Sequence, residues 1–328
     1  VNAARSPGKL ILSGEHAVVH GAPALVLAVD RTARVDLTPA ADSTVTLRLA
    51  DRPPFTLSLD DLPGRLEETR SRMERFRKGQ LPIRNVCPEP EDLLLAALAL
   101  APPAQGSDIH IHSDIPLGAG LGSSAACLLA LFKALRPDWT DDELYQHALH
   151  CEHFQHGRSS GIDVAASLHG GLLWSERGTH TPLNLDPPPA FTVYDTGRPE
   201  TTTGECVAAV QSHFPTDHPV WNDFANVTRG LRSALQHQNP EATRHAIRQN
   251  HRLLTHIGVV PSPVADTVQQ IEAAGGAAKI CGAGAIRGDD AGMLLSIGPL
   301  PSNLPPQWTR LDLRPAPTGT HLVPELHK

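Results

Sequence analysis

Aromatic residues are scarce in this sequence: four Trp, two Tyr and seven Phe among 328 residues. Any core must therefore come from Leu, Val, Ile and Ala, and a hydrophobic content of 40% supplies enough of them to exclude a globally disordered chain. Long apolar runs are also missing. The longest, Leu93–Ala101, stops at Pro102 and Pro103, far short of the roughly 20 residues that span a bilayer. The opening residues Val1–Lys9 lack the apolar region of a signal peptide, so no membrane partner is expected. Positive charge is not in excess: 28 Lys and Arg face 35 Asp and Glu, a net charge of −7. A nucleic-acid partner is thus not expected, and an anionic ligand must be held by local groups. The five cysteines are scattered, with no Cys-x-x-Cys pair; they read as reduced thiols in a cytoplasmic protein.

Proline and glycine are plentiful, at 30 and 26 residues, and punctuate many short elements. Strands are expected at Leu10–Leu12, Ala24–Val29 and Ala33–Leu37, with shorter ones such as Thr44–Leu49 in the polar, Pro-rich stretch from Pro39 to Pro63. Glu91–Leu100 reads as a helix with acidic residues at its start. Asp108–His112 alternates as a strand, and Ala125–Lys133 has helical composition. A helix from Thr140 to about His153 opens on Thr140-Asp-Asp-Glu143, a capping-box pattern. The Pro-rich segment Pro182–Pro189 marks a candidate domain boundary. Beyond it are expected a strand at Phe191–Tyr194, helices over about Asp223–Ile257 and Val264–Ala274, a glycine-rich turn Lys279–Gly284 and a strand at Met293–Ile297. The Pro-rich tail from Pro299 is expected to wrap the surface.

Three constellations carry chemistry. In the first, a strand leads through Gly118-Ala119-Gly120-Leu121-Gly122-Ser123-Ser124 into a helix. Small residues let the backbone approach an anion, and the helix start offers unpaired N–H groups. Ser123 and Ser124 add hydroxyls for phosphate or Mg²⁺. The loop is neither a Walker A motif, since no Gly-Lys-Ser/Thr occurs there, nor a dinucleotide fingerprint, since Ser123 replaces the third glycine. The second is Glu152 and Asp163, carboxylates bracketing a glycine-containing loop. One can hold Mg²⁺ while the other orients or deprotonates a hydroxyl. The third is Ser6-Pro-Gly-Lys9 followed by Ser13-Gly-Glu15-His16, where Lys9 can support a hydroxyl or transferring phosphoryl group beside an Asp, and Glu15 and His16 can hold a substrate hydroxyl. Taken singly, each also fits an ordinary turn or surface pair. The histidine series His147, His150, His153 and His156 is a weaker candidate for a metal, because steps of three drift around a helix and no His-Glu-x-x-His occurs.

In order and content the three constellations resemble the GHMP kinase superfamily of galacto-, homoserine, mevalonate and phosphomevalonate kinases. Its motifs are matched by Pro7–His16, by Pro116–Ala125 and, imperfectly, by Lys279–Gly284. Gly14–Pro23, the run from Glu152 through His156-Gly to Ser160-Gly-Ile-Asp163, and Asp195–Thr203 are most similar to the mevalonate-phosphorylating branch. The resemblance implies an α+β, two-domain fold. Residues 1–178 would form an N-terminal domain like ribosomal protein S5 domain 2, and residues 179–328 an α/β C-terminal domain, with the active site in the cleft between them. It implies ATP-dependent phosphorylation of the C5 hydroxyl of mevalonate in isoprenoid biosynthesis. Asp163 would act on that hydroxyl with Lys9 beside it. Gly118–Ser124 would cradle ATP, Ser123 and Glu152 would hold Mg²⁺, and Glu15, His16, Thr202 and Arg198 would contact substrate.

The chain departs from the family pattern at three places. Ala285-Ile-Arg-Gly-Asp-Asp290 follows the third motif where more glycines are usual, and Arg287 adds a positive charge there. Glu200 occupies a position where family members often carry Arg, leaving Arg198 as the candidate for the substrate carboxylate. Arg158-Ser159 stands where Asn-Pro or Thr-Pro is usual, and a cation there suits a phosphorylated substrate. Phosphomevalonate kinase is therefore the leading alternative, ahead of homoserine or sugar kinases and a non-catalytic nucleotide or sugar sensor. A homodimer remains open.

Overall fold

A computed structural model describes residues 2–50, 52–116, 118–185 and 191–324. In chain order these form β1 (Asn2–Ser13), β2 (Ala24–Pro39), β3 (Thr44–Leu49), β4 (Phe55–Ser58), α1 (Leu62–Arg77), α2 (Pro90–Leu100), β5 (Ser107–Ser113), α3 (Ser123–Leu135), α4 (Asp141–His156), α5 (Ile162–His169), β6 (Leu172–Glu176) and β7 (Thr179–Leu183). There follow β8 (Thr192–Asp195), α6 (Thr203–His213), α7 (Val220–Gln236), α8 (Pro240–His256), α9 (Ser262–Ala273), β9 (Ala277–Cys281), β10 (Met293–Ile297), β11 (Thr309–Leu311) and β12 (His321–Val323).

The elements build two sheets. The larger runs β12-β1-β2-β5-β3-β4, with β6 and β7 joined to the first half of β2; the smaller runs β11-β8-β10-β9, and its pairings are all antiparallel. Helices α1 to α4 pack on the larger sheet through Val35, Val45, Leu47, Ile109, Leu128 and Phe132. With few aromatics available, Phe132 matters: it is fully buried, and its truncation to Ala costs about 3–5 kcal/mol. A second cluster joins the sheets, setting Leu10, Leu12, Leu25 and Leu27 against Val193, Met293 and Leu295. The third, around Phe224, Leu254, Val268 and Leu294, belongs to the smaller sheet and its helices.

Three departures from sequence expectation stand out. Helix α1 was unannounced, because its only buried positions, Leu62, Leu66, Thr69 and Met73, lie in a strongly charged stretch. Lys279–Cys281 was expected in a turn but lies in β9, which is buried throughout. The tail does not merely cover the surface: Pro315 bridges to Val29, and β12 pairs with β1. A division at residues 178/179 cuts the hairpin of β6 and β7, both of which belong to the larger sheet. Of the candidate boundary Pro182–Pro189, residues 186–189 lie outside the described residues. No helix among the described residues is long and apolar enough to cross a membrane.

Candidate active site

The register of β1 on β2 shifts between Pro7 and Gly8. Such an irregularity bends a strand and re-aims the next side chain, which here is Lys9. Its backbone N–H donates to the Leu121 carbonyl at 2.9 Å, tying the strand to the glycine loop. Gly122, which caps α3, is left-handed at φ +73°, and a Cβ there would lie 2.9 Å from Lys9 Cγ. Only glycine meets both demands. The loop thus rests on the aliphatic stem of Lys9.

Lys9 Nζ lies 3.1 Å from Asp163 Oδ1. Asp163 sits in the first turn of α5, where a carboxylate also suits the helix dipole. Lys9 is only 3% exposed and Asp163 27%, so the carboxylate is the member of the pair open to a ligand. The glycine loop, the cation and the accessible carboxylate lie together, an arrangement that can support phosphoryl transfer.

Glu152, on α4, is almost wholly buried. Burial pushes its carboxyl up, but His156, Ser124 and Lys9 outweigh that effect and hold the pKa below the ordinary value. His156 Nε2 lies 3.3 Å from Glu152 Oε2, whereas Oε1 has no hydrogen-bond partner. A buried carboxylate oxygen without a partner, beside a serine hydroxyl, is a hard-oxygen donor set of the kind Mg²⁺ takes. The serine that faces Glu152 is Ser124. Ser123, expected at the metal, acts on the Cys127 thiol one helical turn on and lowers its pKa against the effect of burial.

The remaining predicted residues are placed as follows. Glu15 pairs with the ammonium of Lys279, which also donates to the Ile11 carbonyl at 3.1 Å. Burial raises the Glu15 pKa against the pull of Lys279, and its Oε2 has no partner. His16 Nε2–H donates to the Ala283 carbonyl at 2.9 Å. Burial lowers the His16 pKa to about 4, so the ring is neutral. The first motif is therefore bonded to the third at both positions. Thr202 caps α6 in a reciprocal capping box with Glu205. Arg198 is exposed, with Nε 3.5 Å from where a Cβ on Gly118 would lie; it stands beside the glycine loop.

The departing residues also have definite surroundings. Arg287, expected to add free positive charge, lies 4.0 Å from Glu205, which Arg84 approaches at 3.8 Å. Arg158 is exposed and acts electrostatically on His20, whose ring stacks on Trp221. In the histidine series, His147 stacks on Trp139, His150 meets the edge of Phe154 and His156 serves Glu152. Among the described residues, no group of three or more His, Cys, Asp or Glu is placed to hold a metal.

Sequence reasoning named two further residues without seeing these partners. Lys279 is a lone cation inside the apolar run Ala277–Cys281, which is itself a signal, since a lysine in a buried strand needs a partner. His156 follows Glu152 by four residues on a helix, a spacing that brings the two side chains together.

Comparisons with known proteins bear on the family and the fold. The family described as GHMP kinases N terminal domain matches residues 92–171. Mevalonate kinase of Archaeoglobus fulgidus is 32% identical over 293 residues, covering 86% of this chain and 88% of the relative. That of Thermococcus sibiricus is 28% identical over 297 residues, covering 86% of each. In fold, the chain is similar to the crystal structure of Methanococcus jannaschii mevalonate kinase, with a TM-score of 0.71, 21% identity and 90% of each chain covered.

Proposed function

The chain belongs to the mevalonate kinase family, and from that premise we propose that it transfers the γ-phosphoryl group of ATP to the C5 hydroxyl of mevalonate, releasing ADP and 5-phosphomevalonate. The observation that carries this reading is the contact of buried Lys9 with accessible Asp163 beneath a glycine loop that opens a helix. Phosphoryl transfer needs chiefly alignment and charge neutralisation, and these residues offer both.

In this reading Asp163 accepts a hydrogen bond from the substrate hydroxyl, aligns its oxygen and takes its proton as the new O–P bond forms. The Lys9 ammonium stabilises the oxygen as negative charge develops, and the phosphoryl group in transit. The N–H groups of the loop and of the first turn of α3 receive the nucleotide phosphates, and Arg198, above Gly118, is the cation for the substrate carboxylate. Glu152 and Ser124 are the residues that would hold Mg²⁺. When bound, the ion neutralises phosphate charge. Glu15 retains one buried carboxylate oxygen as an acceptor for a substrate hydroxyl, and Thr202 flanks the substrate side. The five free thiols fit a cytoplasmic enzyme.

The test is ADP release with Mg-ATP across mevalonate, 5-phosphomevalonate, homoserine and galactose. Turnover on mevalonate alone is expected. Turnover on 5-phosphomevalonate alone would reassign the substrate and give Arg158 a phosphate to bind. Silence on all four would overturn the reading.

A further inference from the structure

His156 ends α4, and its ring nitrogen Nε2 meets Glu152 Oε2 at 3.3 Å. Glu152 is buried, and its other oxygen is left without a partner. A carboxylate has two equivalent oxygens and a freely turning terminal bond, so without a donor on one side either oxygen can face the cleft. An N–H fixed on one oxygen removes that freedom and presents the other.

The surroundings hold this donor in place. The next residue, Gly157, has φ +75°, and a Cβ there would come within 2.9 Å of Phe76 on α1. Ile83, in the 3-10 turn that precedes α2, packs on the same glycine. The end of α4 is thus seated against α1 and that turn. The seat does not bury the ring completely: the His156 side chain keeps 25% exposure while Nε2 stays 3.3 Å from Glu152 Oε2. Charges on Asp163 and Lys9 also act on it.

We propose that His156 is a positioning residue for the cation site: its Nε2–H fixes Glu152 Oε2 so that Oε1 faces the Mg-nucleotide. The inference rests on the kinase reading above and adds to it a residue that need not touch substrate, nucleotide or metal. Partners of this kind orient a metal-binding carboxylate, and their loss typically weakens metal affinity about 10–100-fold.

The experiment measures ADP affinity by titration calorimetry, in excess Mg²⁺ and in EDTA, for the full chain and three variants. His156→Ala removes the donor. His156→Gln keeps an N–H at nearly the reach of Nε2, and His156→Asn keeps the polarity but falls a methylene short. The expected result is a roughly tenfold or greater loss of affinity in Mg²⁺ for Ala and Asn, little change in EDTA and substantial recovery with Gln. The EDTA titration reports an intact nucleotide site. Should Ala not fold, the Gln and Asn variants carry the same comparison. Equal losses with and without Mg²⁺ would make His156 a packing residue and overturn the proposal, as would unchanged Mg²⁺-dependent affinity. If the unaltered protein binds ADP equally with and without Mg²⁺, the cation site itself fails, and the proposal with it. Absence of turnover on mevalonate instead sinks only the substrate assignment.

Discussion

The ammonium of Lys279, on a strand of the smaller sheet, meets the carboxylate of Glu15, just beyond the end of β1 in the larger sheet, and both side chains are buried. Lys279 also donates to the Ile11 carbonyl, so one cation fastens the third glycine motif to the first. Lys9 also acts weakly on the Glu15 carboxyl and contacts Asp163. Two ion pairs, Asp163 with Lys9 and Glu15 with Lys279, thus form at the two ends of the first motif.

Replacing Lys279 by Met should therefore destabilise the protein by about 3–5 kcal/mol, because it strands Glu15 as a buried unpaired group. The double variant Glu15→Gln with Lys279→Met should recover much of that stability. Urea denaturation of the four proteins in the cycle measures the coupling.

Replacing Asp163 by Asn should lower kcat about 10²–10⁴-fold while leaving ADP affinity within about twofold, as the amide keeps the shape but cannot take a proton. Steady-state kinetics alongside nucleotide titration separate the two effects. A parallel loss of ADP affinity would mean that Asp163 serves the nucleotide and not the hydroxyl.

Replacing Gly122 by Ala adds a Cβ at φ +73° against the Lys9 stem. The left-handed backbone alone costs about 1–2 kcal/mol, and displacement of Lys9 should reduce kcat at least about tenfold. Gly230, exposed within α7 with nothing near its Cβ position, is the control. Alanine there should stabilise by about 0.5–1 kcal/mol without affecting turnover. Thermal melts and ADP release distinguish the pair.

Burial lowers the pKa values of His16 and His251 to about 4, from an ordinary value of 6.5. Between those values the unfolded chain binds more protons than the folded one. The stability contributed by the neutral rings is thus fully present above pH 6.5 and lost as pH falls toward 4. Each ring should contribute up to about 1.4 kcal/mol of loss per pH unit across that window. Urea midpoints from pH 7.5 to 4.5 should decline accordingly, and His251→Asn should flatten the slope.

Much of this protein was written locally. The glycine loop before α3, the Thr140–Glu143 box that starts α4 and the strands at Ala24–Val29 and Met293–Ile297 depend on neighbours within a few residues, where sterics and hydrogen bonding act directly along the chain. The order of Lys9, Glu152 and Asp163 around that loop likewise carried the resemblance to the GHMP kinases, and the resemblance implied a small-molecule kinase. Helix α1 was harder to read, since its stripe of four buried residues is too sparse to stand out among charges.

Tertiary structure alone decided which charges meet. No local rule brings Lys279 to Glu15, 264 residues apart in sequence, or carries β12 back to the edge of β1. Nor does composition reveal that Ser124 acts on the Glu152 carboxyl, or that Arg287 lies beside Glu205. An ion pair is decided by the final positions of its two groups and by the water removed around them. Residue type along the chain names the groups available for the chemistry, and the packing of one sheet against the other selects their partners.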